Sequence, residues 1–187
     1  VMLETMVDIA KSAGQEILAI YETADFGVEM KADDSPLTRA DLAAHHVIVN
    51  ALGEKFPEIP VLSEESTALD YAVRQQWQRY FLVDPLDGTK EFIKKNGEFT
   101  VNIALIENNK PILGVIYAPV KSDLYFAQKK NGSYKINSNS KLIDLKKSQK
   151  LFVSNQSNIT RIIGSRSHSN QSFDSWVNQN FPNTEIV

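Results

Sequence analysis

Two aspartates three residues apart, Asp84 and Asp87, frame the turn Asp84-Pro85-Leu86-Asp87-Gly88-Thr89. Ahead of them runs Tyr80-Phe81-Leu82-Val83, an aromatic and β-branched segment of the kind that forms a buried strand. Proline removes a backbone donor, so the strand is expected to end at Asp84-Pro85. Behind them, Lys90-Glu91-Phe92-Ile93 reads as the first turn of a helix. Carboxylate oxygens suit a hard cation. The backbone N–H groups of Gly88 and Thr89, at a helix start, suit a phosphate. Taken alone, Asp87-Gly88 is ordinary turn chemistry. The strand changes the balance, because a buried strand that ends in two acids needs a counter-charge. A divalent metal ion supplies one.

Two further segments bring acids. Pro60-Val61-Leu62 reads as a short strand, and Ser63-Glu64-Glu65-Ser66 follows at its end. Thr38 can cap a helix running to about Phe56, with Asp41 at the third position, where the helix dipole favours an acid. Alone, Asp41 is a helix-start acid. Magnesium takes near-octahedral oxygen ligands, and a pair of such ions can activate a water and steady a leaving oxygen. The candidate ligands are Glu64, Asp84, Asp87 and the backbone carbonyl of Leu86, with Glu65 set aside as the neighbouring acid. His45 and His46 lie mid-helix without a partner at ligand spacing and read as structural or solvent-facing.

The elements that must hold these residues are legible in outline. Met2 to Glu22 places apolar residues at helical spacing. Phe26 to Met30 is a short strand, Lys31 to Leu37 a polar loop or mobile hairpin, and Tyr71 to Gln78 a helix. From Val101 to Ile136 the pattern is four strands split by Asn108-Asn109, Lys121-Ser122 and Asn131-Gly132, an antiparallel meander. The polar stretch from Ser138 to Ser157 holds the expected boundary between residues 1–148 and 149–187. Ile159 to Ile163 is a strand, Gln171 to Asn180 a helix, and Thr184 to Val187 the start of a strand. Helical and strand-rich runs are segregated, which favours α+β layers over a doubly wound sheet.

Composition bounds the partners. The 187 residues are 42% hydrophobic and 23% charged, with net charge −3 and pI about 5.7. That is a globular composition, and its charge disfavours nucleic-acid polymers and anionic membranes. A small anionic substrate stays open, because bound divalent ions invert the local field. With no cysteine there is neither a disulfide nor a thiolate metal site. No stretch of about 18 apolar residues reads as a membrane-spanning helix. No basic region followed by an apolar block reads as a secretory signal.

The run Asp84 to Thr89 resembles the signature of the lithium-sensitive, magnesium-dependent phosphatases of the inositol monophosphatase superfamily. The longer run to Phe99, with Asn96-Gly97-Glu98-Phe99, is similar to its CysQ-type 3′(2′),5′-bisphosphate nucleotidase branch. The resemblance implies a layered α/β/α/β sandwich of the inositol monophosphatase and fructose-bisphosphatase type, with an antiparallel sheet and paired helices in the first domain. It implies two or three Mg²⁺ ions on Glu64, Asp84, Leu86 and Asp87, and a base formed by Asp41 with Thr89. It also implies substrate contacts from Glu64, Leu86, Asp87, Gly88, Thr89, Ser165 and His168, and the entry of a further ion through the loop Lys31 to Leu37, with Lys31 near the phosphate. Arg166 reads as a partner for phosphate or for a nearby acid.

The implied reaction is hydrolysis of the 3′-phosphate of adenosine 3′,5′-bisphosphate to AMP, and of its 5′-phosphosulfate analogue, in sulfate assimilation. It proceeds by in-line attack of an activated water, without a covalent phosphoenzyme. The implied location is cytoplasmic, with peripheral association at the cytoplasmic face of the inner membrane. One departure stands out. The family's C-terminal Trp-Asp metal ligand has no counterpart, since Trp77 precedes Gln78 and Trp176 precedes Val177. The chain therefore reads as a first domain with a truncated second. Two alternatives follow: a phosphatase of inositol or sugar phosphates, and an inactive metal-binding fragment.

Overall fold

The computed structural model describes residues 1–187 except 24, 33–35, 68, 139–144, 154, 156–160 and 165–170. They form two compact units, Val1–Leu151 and Phe152–Val187.

In the first unit, helix α1 (Met2–Tyr21) is followed by a two-strand hairpin of β1 (Glu29–Met30) and β2 (Pro36–Leu37), then by helix α2 (Arg39–Lys55). The remaining elements are β3 (Val61–Ser63), α3 (Tyr71–Arg74), β4 (Arg79–Asp87), α4 (Thr89–Ile93), β5 (Thr100–Glu107), β6 (Lys110–Ala118), β7 (Asp123–Gln128), β8 (Gly132–Asn137) and β9 (Gln149–Leu151). Strands β3 to β9 make one seven-stranded sheet in chain order. The pair β3–β4 is parallel, and the pairs from β4 to β9 are antiparallel.

The two helices cover one face of this sheet. Met6, Ala10, Ala13 and Ile17 of α1 and Ala44, Ile48 and Leu52 of α2 share a core with Phe81, Val83, Val101, Ile103, Leu105, Val115 and Leu124. Alternation along the strands decides which face that is. Phe81 and Val83 are buried while Leu82 between them is 44% exposed, and Val115 is buried while Ile116 is 46% exposed.

The expected meander is present, and its first turn has Asn108 at φ 50° and Asn109 at φ 60°, the left-handed pair of a type I′ hairpin. Three expectations need correction. The helix at Tyr71 to Gln78 is a single turn, Tyr71–Arg74, with none of its residues buried. One turn with no buried face has little to extend it. The polar stretch after Ser138 contributes β9, a three-residue edge strand on β8 that sequence pattern cannot mark. The third correction concerns Asp84 and Pro85, described with the site.

In the second unit β10 (Arg161–Ile162) pairs in parallel with β11 (Glu185–Ile186), and helix α5 (Gln171–Asn180) lies between them in the chain. Among the described residues no helix is long and apolar enough to cross a membrane.

Candidate active site

Parallel pairing of β3 with β4 brings the C-terminal ends of both strands to the same edge. Ser63 stands opposite Val83, and the Glu64 N–H donates to the Val83 carbonyl at 3.0 Å. Glu64 therefore arrives beside Asp84.

Strand β4 does not end at Pro85. It continues to Asp87 through a bulge, with Asp84 opposite Asn102 and Asp87 opposite Thr100. Three steps on β4 match two on β5, so one residue is extra. In a regular strand, residues three apart point to opposite faces. The extra residue restores the parity and turns Asp84 and Asp87 to one side. Proline fits here because a bulge leaves a residue without its ladder bond. Leu86, 2% exposed, anchors the turn in the core.

The carboxyl of Asp84 is under electrostatic strain. Burial pushes it up to about 7, helped by the charges of Glu64 and Asp87 and by a hydrogen bond with the Glu64 carboxyl. Its Oδ1 is a buried acceptor with no hydrogen-bond partner. An orphaned acid oxygen crowded by two more acids is an environment that a divalent cation relieves, so the residues fit such an ion. Their present partners differ. Glu64 accepts from Lys31 at 3.0 Å, and Asp87 Oδ2 accepts from Asn102 Nδ2 at 3.1 Å. Among the described residues no three acid or histidine side chains already converge as a ligand set.

Asp41 approaches from α2. It is 2% exposed. Its Oδ2 accepts from the Thr38 N–H at 2.8 Å and from Thr38 Oγ1 at 2.6 Å, while its Oδ1 accepts from Thr89 Oγ1 at 3.1 Å. The Thr38 Oγ1 in turn accepts from the Ala40 N–H at 3.2 Å, completing a capping box. Burial pushes the Asp41 carboxyl up, against the hydrogen bonds from Thr38 and Thr89. Thr89 Oγ1 also lies 3.4 Å from the Leu86 carbonyl. The structure thus brings Asp41, Thr89 and the Leu86 carbonyl together, and sets Glu64 and Asp87 each near enough to Asp84 to push its carboxyl up. Ser165, Arg166 and His168 lie outside the described residues.

Gly88 lets the turn close. Its φ is +98°, and a Cβ there would meet the Glu98 carbonyl oxygen at 2.8 Å. We expect Gly88→Ala to lower stability by about 1–3 kcal/mol, read from the urea midpoint. An unchanged midpoint would show that the Glu98 backbone yields. Helix α4, which Gly88 caps, has only five residues, so its dipole adds little.

One residue escaped the sequence reading. Asn102, on β5, holds Asp87 and accepts from Thr100 Oγ1 at 3.0 Å. Nothing but its place opposite Asp84 marks it, and that requires the register. Glu65 turns out to be the more enclosed glutamate, its side chain 7% exposed against 52% for Glu64. Lys31 stands between these two acids. His45, read as structural, hydrogen-bonds through Nδ1 to Ser63 Oγ at 2.8 Å and braces the end of β3.

An apolar groove of about 600 Å³ adjoins the acids, with Leu62, Leu82, Ala104 and Ile116 along it and Glu64, Asp84 and Asn102 in its lining.

Comparison with known proteins identifies the family. The model of the inositol monophosphatase family matches residues 1–183. The 3′(2′),5′-bisphosphate nucleotidase CysQ of Escherichia coli K12 is 58% identical over 127 residues, 67% of this chain and 51% of that protein. The enzyme of the same name from Haemophilus influenzae is 39% identical over 134 residues, 72% of this chain and 49% of the other. The crystal structure of CysQ from Bacteroides thetaiotaomicron superposes with TM-score 0.83 and 43% identity, covering 98% of this chain and 70% of that one. The chain spans about half the length of the curated relatives it matches.

Proposed function

Since the chain belongs to the inositol monophosphatase family, we propose that it carries the acid cage of a Mg²⁺-dependent phosphomonoesterase acting on adenosine 3′,5′-bisphosphate. The observation that carries this reading is the β4 bulge, which sets Asp84 and Asp87 on one side, beside Glu64. The named substrate follows from the 58% identity to a bisphosphate nucleotidase.

On this reading Glu64, Asp84, Asp87 and the Leu86 carbonyl hold divalent cations. Such ions, when bound, lower the pKa of a water and offset phosphate charge. The chain's own groups do the rest. The Gly88 and Thr89 amides receive the phosphate oxygens. The Thr89 hydroxyl, oriented by Asp41 Oδ1, relays the proton of the attacking water to that carboxylate. Ser165 and His168 contact the nucleotide. The enzyme works in the cytoplasm.

A second reading is supported by the span of about half the relatives: at this length the chain binds cations and turns over little. The test compares phosphate release from adenosine 3′,5′-bisphosphate and from inositol 1-phosphate, with Mg²⁺ and with added Li⁺. It uses this chain and a chimera completed with the remaining segment of the Escherichia coli relative. We expect release from the nucleotide, faster than from the inositol phosphate, dependent on Mg²⁺ and suppressed by Li⁺. Preference for the inositol phosphate would replace the substrate assignment, and Mg²⁺-independent release would overturn the cage.

A further inference from the structure

Lys31 follows β1 and reaches two adjacent glutamates. Its Nζ lies 2.6 Å from Glu65 Oε1 and 3.0 Å from Glu64 Oε1. The partners are unequal. The Glu65 side chain is 7% exposed, so its carboxylate depends on the ammonium for counter-charge, whereas the Glu64 side chain is 52% exposed.

Glu64 is a proposed cation ligand; Glu65 is not. An ammonium and a divalent ion seek the same carboxylate oxygens. We propose that Lys31 is a resident competitor for Glu64, restrained by Glu65, and that this trio sets how tightly the cage takes a divalent cation. Glu65 is then a positioning residue that acts through Lys31. The closer, buried contact keeps the ammonium from settling wholly on Glu64, so Glu64 remains available without leaving a cluster of acids unneutralised. The inference rests on reading Glu64 and Asp84 as cation ligands.

The test titrates Mn²⁺ alone, without phosphate, into the whole chain and follows binding by calorimetry and by the spin-resonance signal of free Mn²⁺. Removing the competing charge in Lys31→Met should tighten Mn²⁺ binding about tenfold, since a like charge this close opposes the cation. Lys31→Arg, which keeps the charge, should stay within about threefold of wild type. Glu65→Gln should weaken binding about tenfold, because the released ammonium moves onto Glu64. In the Lys31→Met background the same Glu65→Gln change should matter less than about threefold, which is the coupling expected of a residue acting through another. A merely structural role predicts weaker binding in both single variants and no such coupling. Weaker or unchanged binding in Lys31→Met therefore overturns the competitor role while leaving the cage intact. Absence of Mn²⁺ binding in wild type overturns the cage and the competitor together.

Discussion

Replacing Asp84 with asparagine is expected to abolish Mg²⁺-dependent phosphate release and, in the metal-free chain at pH 8, to raise stability. The first effect follows from losing the central acid of the proposed cage, which would remove several kcal/mol of charge stabilisation and so about a thousandfold or more in rate. The second follows from the strain on the same carboxyl. Its pKa rises from the ordinary 3.8 to about 7, chiefly through burial, then through Glu64 and Asp87. The folded chain therefore holds a proton that the unfolded chain has released. Stability without metal should be greatest near pH 4 and fall as pH rises through about 7, where Asp84 must ionise beside two other acids. The shift taken whole would be worth about 4 kcal/mol. Solvent contact at the mouth of the site reduces that to about 1–2 kcal/mol. Urea midpoints in EDTA at pH 5 and pH 8, for wild type and Asp84→Asn, read the difference directly. The variant should gain more at pH 8 than at pH 5. An asparagine variant that is less stable than wild type at pH 8 would show that Asp84 carries no strain, and the electrostatic case for a cation at this site would go with it.

What the sequence reveals of this site, and what it hides, divides by the range of the interaction. The Thr38–Asp41 capping box is local, three residues apart, and was legible as a helix start. So was the meander, because Asn108 and Asn109 favour the left-handed backbone their turn needs and Gly132 supplies it at the start of β8. The β4 bulge was misread because Pro85 looks like a terminator wherever it occurs. Only the ladder to β5 shows that the strand resumes at Asp87. The inequality of Glu64 and Glu65 was equally hidden, since adjacent residues on a turn are told apart by what packs on them, here Lys31 from a hairpin 33 residues away. The contact between Asp41 and Thr89 spans 48 residues. Only the resemblance to a family paired those two residues. Spacing alone would have left Asp41 as a cap.

That double duty of Asp41 sets up the sharpest separation of stability from chemistry. Asp41→Ala leaves the Thr38 N–H and hydroxyl without their acceptor, and the Thr89 hydroxyl with only the Leu86 carbonyl at 3.4 Å, in a position only 2% exposed. It should cost about 2–4 kcal/mol as a lost cap and as unmet buried donors. Thr89→Val keeps the shape and the backbone N–H, removes only the hydroxyl, and should cost about 1 kcal/mol or less. If the pair moves a proton during hydrolysis, both variants should lose about 10²–10⁴-fold in phosphate release despite their unequal stabilities. If Asp41 is a cap and nothing more, the losses should instead follow the fraction unfolded, leaving Thr89→Val nearly as active as wild type. Asp70→Ala, at the N-cap of α3 where the Asp70 Oδ1 accepts from the Ala72 N–H at 3.0 Å, serves as the control. It gives up a cap contact without touching the Asp41–Thr89 hydrogen bond, so its cost of about 1 kcal/mol should appear in unfolding and not in rate. Urea midpoints and initial rates measured on the same preparations place the three variants on two axes. A proton relay scatters them, whereas a purely structural Asp41 puts all three on one line relating rate to stability.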